Sequence, residues 1–145
     1  MASYVFNIAK GTTREKAKRG ETLKACILKA AADQATLEDL DTLAAVLADA
    51  STTEADFTNY ARPTLTNFTD TVDDTDNDVD LSANAIVFPS AGGTVNNNTV
   101  SVIIYHDVDG TDANAIPLLH LDFAATTDGN DLTMAFPSNG FFGAS

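Results

Sequence analysis

The chain has 145 residues, enough for one domain with a buried core, and 44% of them are hydrophobic, an ordinary share for a globular protein. No apolar run approaches the ~20 residues that cross a bilayer, and no signal-peptide pattern opens the chain, so we expect no membrane partner and no secretory signal. A net charge of −13 argues against nucleic acid as a partner. The single cysteine, Cys26, excludes an intrachain disulfide, and its apolar neighbours predict a buried side chain.

The charge is unevenly distributed along the chain. The first 29 residues hold seven basic and two acidic side chains, a net +5, whereas the remaining 116 hold one basic and nineteen acidic side chains, a net −18. The seven basic residues are Lys10, Arg14, Lys16, Lys18, Arg19, Lys24 and Lys29. We predict a single domain over residues 1–145, with a basic N-terminal region at 1–50 and an acidic, β-rich body at 51–145. This charge dipole fits either a solvated surface or a contact between opposite patches of neighbouring molecules.

The N-terminal third mixes strand and helix signals. Alternating apolar residues predict a strand at residues 3–8, and a capping-box spacing predicts a short basic helix over residues 12–20. Residues 22–32 are ambiguous, because their alanine content favours a helix while the alternation of apolar residues and lysines favours a strand. A stripe of leucines predicts a helix over residues 36–49 that packs on the body.

From residue 51 onward the sequence is typical of short antiparallel strands. Threonine, valine, asparagine and aspartate dominate, and glycine-containing turns recur. The predicted strands lie near residues 64–72, 84–88, 99–107, 117–124 and 131–137. Apolar side chains on both faces of the third strand indicate that it is central. The predicted fold class is therefore mainly β, a single antiparallel β-sandwich or small barrel with one or two short helices in the N-terminal third.

The sequence contains no recognisable catalytic or metal-binding motif. Neither His106 nor His120 lies beside a nucleophile elbow, so we expect no enzymatic activity and no cofactor. The acidic run at residues 73–80 spaces its aspartates like the start of an EF-hand loop. However, Val79 stands where that loop needs glycine, and Ala85 stands where it needs glutamate. We therefore predict a solvated acidic loop and no metal site.

Several short motifs, spread over nearly the whole chain, carry a resemblance. They are YVFNIAKG at residues 4–11, LKACIL at 23–28, EADFTNYARPTL at 54–65, IPLLHLDF at 116–123 and NGF at 139–141. On these motifs the chain resembles a family of small virion structural proteins of tailed bacteriophages. It departs from that pattern in a helix-rich stretch near residues 32–50. The resemblance implies a structural role without known catalytic residues, and it favours a strand at residues 22–28.

The resemblance implies that the chain is a structural component of the virion. A decoration or cement protein sits where subunits of the major capsid protein meet and adds buried interface against internal pressure. We expect the chain to bind the major capsid protein and copies of itself, with a trimer favoured. A tail or head–tail component is an alternative, and so is a module that binds a host glycan, although few aromatic residues lie in the predicted loops.

Two groups of residues are candidates for these roles. The candidate contact residues are Tyr4, Phe6, Lys16, Lys18, Arg19, Phe141 and Phe142. The basic segment is expected to face a neighbour, with Tyr4 and Phe6 as apolar anchors, whereas Phe141 and Phe142 dock either on the chain's own core or on a neighbour. The candidate structural residues are Tyr60 and Arg62. Arg62 is the only basic residue of the acidic body, and the following Pro63 restricts it to extended geometry. We predict that Arg62 pairs with a carboxylate and that Tyr60 is packed with its hydroxyl hydrogen-bonded.

Overall fold

The computed structural model describes residues 3–9, 16, 19–75, 78–136 and 142–144. Its strands are antiparallel and outnumber two short α-helices, which confirms the predicted mainly β class. The strands form sheets of five, three and two strands, and over the described residues none of these sheets closes into a barrel.

The elements are numbered here in chain order. The strands are β1 (Tyr4–Val5), β2 (Leu23–Ala30), β3 (Thr53–Glu54), β4 (Thr69–Asp73), β5 (Asp78–Ser82), β6 (Ile86–Phe88), β7 (Asn98–His106), β8 (Ile116–Thr126), β9 (Leu132–Met134) and β10 (Phe142–Ala144). The helices are a 3-10 turn at Asn7–Ala9, α1 (Gln34–Leu37) and α2 (Leu43–Ala48).

The five-stranded sheet, in the order β1-β8-β7-β2-β3, holds the core. One row of residues crosses four of its strands, because Tyr4 pairs with His120, His120 with Ile103 and Ile103 with Cys26. Consecutive residues of β2 and β7 are buried, so both faces of the sheet are covered in its centre. The strand expected at residues 22–28 is confirmed as β2, and it lies inside the sheet between β3 and β7 of the acidic body.

Two smaller sheets flank this centre. The β4–β5 hairpin pairs with β10 at the C-terminal end of the chain, and β6 pairs with β9. The first of these sheets corrects two predictions. The strand expected at 64–72 begins only at Thr69, and the acidic run expected to be a loop supplies β5 after its turn. Along β5 the aspartates alternate with other residues, since Val79 separates Asp78 from Asp80, so this part of the run has strand periodicity as well as charge.

The helix predicted over residues 36–49 is wrong, because two short helices stand there instead. Asp33 caps α1 through Thr36 N–H, and Thr42 caps α2 through Ala45 N–H. Between them, the carbonyl of Glu38 accepts the N–H of Asn7 at 2.8 Å rather than an N–H further along the helix. The leucine stripe still packs inward, but tertiary hydrogen bonds outcompete the helical ladder at its midpoint.

The remaining predicted elements are confirmed with altered bounds, or they lie outside the described residues. The strands expected at 84–88, 99–107, 117–124 and 131–137 correspond to β6, β7, β8 and β9. The strand expected at 3–8 is only β1, followed by the 3-10 turn. The basic helix expected at 12–20 lies outside the described residues except at its positions 16, 19 and 20.

Candidate functional site

The most connected polar cluster of the described chain is centred on Arg62. The segment that carries it runs along the outer edge of β2, where Ala55 N–H donates to the Ile27 carbonyl at 2.8 Å and Ala25 N–H to the Pro63 carbonyl at 3.0 Å. Leu65 N–H continues the contact by donating to the Leu23 carbonyl at 2.8 Å. These bonds hold the chain extended on both sides of Arg62, in agreement with the restriction that Pro63 imposes.

The Arg62 guanidinium bridges two carboxylates. Its Nε and Nη2 donate to the two Glu54 oxygens at 2.6 Å each, in a bidentate pair. Nη1 and Nη2 donate to the two Asp112 oxygens at 2.5 Å and 3.0 Å. The guanidinium carbon also lies 5.7 Å from the centre of the Tyr105 ring, within the range of a cation–π contact. The carboxylate pairing expected of Arg62 is therefore present, and it joins β3 to the loop before β8.

Tyr60 completes the cluster. Its hydroxyl donates to Glu54 Oε1 at 2.8 Å and accepts the N–H of Ile27 at 3.0 Å. The ring packs against Phe57 and Phe88, with centroid distances of 5.1 Å and 6.4 Å. Tyr60 is thus packed and hydrogen-bonded, as the sequence predicted, and it ties the cluster to β2 and β6.

The protonation states of the cluster suit a structural clamp. Burial raises the pKa of Glu54, but the hydrogen bonds from Arg62 and Tyr60 outweigh it, so the net pKa of this carboxyl is lowered. Burial raises the pKa of Tyr60 and of the Cys26 thiol above their ordinary values. Since the phenol and the thiol keep their protons, neither is a nucleophile at neutral pH. The arrangement stabilises charge but offers no activated group.

A second polar cluster lies at the end of β7. His106 is buried, and its Nδ1 lies 3.1 Å from Lys16 Nζ while its Nε2 lies 3.0 Å from Glu21 Oε2. An ammonium group can only donate, so Nδ1 accepts and Nε2 carries the hydrogen that faces Glu21. Beside it, Lys24 Nζ lies 2.6 Å from Asp107 Oδ2, and this hydrogen bond lowers the pKa of Asp107.

Some positive charges of the basic N-terminal region are paired with carboxylates of the same chain. Lys24 pairs with Asp107, and Lys29 pairs with Asp56 at 2.7 Å. Both lysines lie on β2, the strand enclosed by the acidic body. The charge dipole of the sequence is therefore partly neutralised inside the molecule.

Tyr4 and Phe6 do not lie on the surface, which corrects their expected role as anchors for a partner. Tyr4 is 9% exposed and Phe6 is fully buried. Tyr4 stacks on His120 with ring centroids 4.6 Å apart and planes 8° apart, and Phe6 packs 5.5 Å from Tyr4. Because β1 pairs with β8, these aromatic side chains enter the chain's own core. Ile8, 39% exposed, is the apolar residue that remains outside in this segment.

The other candidate contact residues are only partly visible. Arg19 is exposed, whereas Lys18 and Phe141 lie outside the described residues. The backbone at Phe142 belongs to β10, where it pairs with Leu81 of β5. The end of the chain therefore joins a sheet of its own molecule.

The sequence predicted that Arg62 has a partner but could not say which. Glu54 stands only eight positions before Arg62 in the EADFTNYAR stretch, so a turn between the two residues could have been predicted from the sequence. Asp112 lies fifty positions after Arg62, and only the fold brings the two together. Among the described residues no group of histidine, cysteine and carboxylate side chains is arranged to hold a metal ion.

Comparisons with known proteins add no relative. A scan against protein-family models, a search of curated proteins and a search of solved structures each returned no match. No helix in the described part of the chain is long and apolar enough to span a membrane.

Proposed function

We propose that the chain is a non-enzymatic structural protein of a tailed-phage virion, a decoration or cement protein that stabilises the head by binding the major capsid protein and copies of itself. The observation that carries the proposal is the separation of charge. No lysine or arginine follows Arg62, whereas five basic residues fall within residues 10–19. The resemblance of the motifs is the reason for proposing a virion protein, and the charge separation is the reason for proposing that the basic segment binds a neighbouring subunit.

A cement protein has to keep its shape under load, and the polar clusters serve that need. The Arg62 cluster ties β2, β3 and the loop before β8 together through side-chain hydrogen bonds, and the Tyr60 ring packs on Phe88 of β6. Such networks fix a unique arrangement when every member is satisfied. The titratable groups at their centre are locked in place, which favours a structural role over catalysis.

The basic segment, residues 10–19, is the element that we assign to the neighbour or the capsid. Lys24 and Lys29 form ion pairs with carboxylates of the chain itself, and their strand β2 lies inside the sheet, so we place docking in the basic residues that precede it. Charged contacts mainly steer the encounter and fix orientation, while apolar groups supply most of the affinity. With Tyr4 and Phe6 in the core, the exposed Ile8 is the apolar side chain placed beside this segment.

The test is binding of the purified chain to heads from which it has been stripped. Lys16, Lys18 and Arg19 changed together to glutamate should slow association by about tenfold or more, because electrostatic steering changes on-rates by 10–10³. Higher salt should mimic part of this effect by screening. A control variant with Val87, Val95 and Val108 changed to glutamate adds negative charge at exposed sites elsewhere and should bind more nearly as the wild type does.

Association that ignores both the charge reversal and a rise in salt would refute the assigned role of the basic segment. Binding to tails instead of heads would move the chain to the tail or head–tail alternative. Binding to neither particle, with capture by host polysaccharide, would favour the glycan-binding alternative.

A further inference from the structure

Strand β8 has an outer edge that the described chain leaves largely open. Its inner edge pairs with β7 from Ile116 to Thr126, but on the outer side β1 pairs only with Leu119 and His120. Beyond that rung, Ser3 Oγ accepts the N–H of Asp122 at 3.1 Å. From there to residue 126 no strand of the described residues lies alongside.

Along this edge several backbone groups point away from β7 and form no hydrogen bond with another described residue. Asp122 N–H faces outward, since it reaches Ser3, whereas Ala125 N–H faces β7, since it donates to Thr99 Oγ1 at 3.0 Å. Alternation along a strand then directs the N–H and C=O of Ala124 and Thr126 to the open side. An unpaired edge of this kind is a template for another strand.

Apart from Asp122, the side chains along this edge carry no charge, and several neighbouring ones are apolar. Leu121 and Phe123 are half-buried against the core, and Val100 on the neighbouring strand is 37% exposed. Residues 123–127 carry no charge. A strand laid along this edge would cover Phe123 and bury apolar surface as well as satisfy the backbone.

The neutral stretch of this edge allows a second copy to pair there. Two copies of a chain with a net charge of −13 repel each other, so a contact between like surfaces is least costly where the surface is neutral. In an antiparallel two-fold pairing centred on Ala124, Asp122 of one copy faces Thr126 of the other, and no carboxylate faces a carboxylate. The small Ala124 side chains at the axis allow close approach.

We infer that the outer edge of β8, residues 122–126, is a self-association surface that pairs with the same edge of a second copy across a two-fold axis. Ala124 N–H of each copy donates to Ala124 C=O of the other, and the Asp122 carbonyl accepts from Thr126 N–H. The product is a dimer built on one continuous sheet, in place of the trimer that the charge dipole and the terminal aromatic residues favoured. This surface deepens the proposed function, since it supplies the contact between copies, but it forms without any particle.

The experiment is sedimentation velocity of the full chain over a concentration series. We expect a dimer whose dissociation constant rises by about tenfold or more in Ala124→Pro, because the proline removes an N–H at each end of the central rung. A proline is tolerated on an edge strand whose N–H points away from the sheet, so the monomer should stay folded by circular dichroism. Ala124→Lys places like charges at the axis and should weaken the dimer as well.

Val87→Lys is the matched control, because it adds the same charge at an exposed strand position on β6 and should leave the dimer intact. Rising salt should strengthen the dimer by screening the repulsion between acidic copies, the opposite sign to that expected for the basic segment on heads. A wild type that stays monomeric, or an oligomer that Ala124→Pro and Ala124→Lys leave unchanged, would overturn the inference. Neither outcome bears on whether the chain binds heads, which the stripped-head experiment decides separately.

Discussion

The five-stranded sheet and the β4–β5 hairpin are both antiparallel, yet they are held in different ways. In the sheet, β2 and β7 are buried on both faces, and the row Tyr4, His120, Ile103 and Cys26 runs through the core. In the hairpin, Leu81 is buried while Val72 is 66% exposed. Strand pairing alone therefore does not determine how stable a region of this molecule is. The apolar contacts on both faces of the five-stranded sheet distinguish its buried centre from the acidic periphery.

The largest expected effect comes from truncating the centre of the sheet. Ile103→Ala removes a fully buried side chain from the cross-strand row, so unfolding should become easier by about 2–5 kcal/mol. Val72→Ala, the matched change in the hairpin, should shift stability by under about 0.5 kcal/mol. Urea unfolding of both variants measures the contrast, and equal losses would contradict the division between centre and periphery.

Next in size is the loss of the Arg62 clamp. The Arg62 side chain is 22% exposed, so its removal should cost less than the 3–5 kcal/mol of a fully buried pair and more than the 0–1 of an exposed one, about 2 kcal/mol. Lys29→Ala, which breaks the more exposed pair with Asp56, should cost well under about 1 kcal/mol. Thermal melts of the two variants measure the difference between these two stability losses. If Arg62→Ala leaves both stability and assembly unchanged, the clamp is not structural.

A smaller effect should appear as a dependence of stability on pH. The pKa of Glu54 is lowered from its ordinary value of 4.5, so the folded state binds this proton more weakly than the unfolded state does. Its contribution is fully present above that value and is lost as the pH falls below it. Glu54→Gln should therefore lower stability at neutral pH and flatten the melting-temperature profile below pH 4.5. The slope will not vanish, since the pKa of Asp107 and of Asp56 is also lowered. A profile parallel to that of the wild type would contradict this assignment.

The smallest effect on global stability should follow removal of residues 141–145. This truncation deletes β10 and with it the outer partner of β5. Because the hairpin lies outside the buried centre, the free energy of unfolding should change by under about 1 kcal/mol. Hydrogen exchange in β5 should nevertheless become faster, while that in β7 should not. Weaker association after truncation would show instead that the terminal aromatic residues also serve a neighbour.

Much of the sheet was predictable because its signal is local. The alternation and apolar runs of β7 and β8 gave both strands and the central position of β7, since period and burial are written in neighbouring residues. The helix at 36–49 failed for a non-local reason. The hydrogen bond from Asn7 to the Glu38 carbonyl, which interrupts it, joins residues far apart in the chain.

The candidate site divides in the same way. The need of Arg62 for a carboxylate followed from its isolation in an acidic body, and Glu54 lies close by in sequence. Asp112 was out of reach, because a loop contact across fifty residues leaves no periodic trace. Tyr4 and Phe6 were expected at the surface, and that expectation was wrong for a related reason. An alternating apolar pattern indicates that one face of a strand is buried. It does not indicate whether that face packs on the chain's own core or on another molecule.

The central claim, a structural place on the phage head, is tested most directly by counting. The proposal requires a phage particle that contains the chain. Heads and tails of such a particle are purified separately, and quantitative mass spectrometry compares the chain with the major capsid protein in each fraction. The account predicts that the chain is in the heads, in high copy and in a fixed ratio to the major capsid protein. A chain found in tails, or in neither fraction, would contradict it.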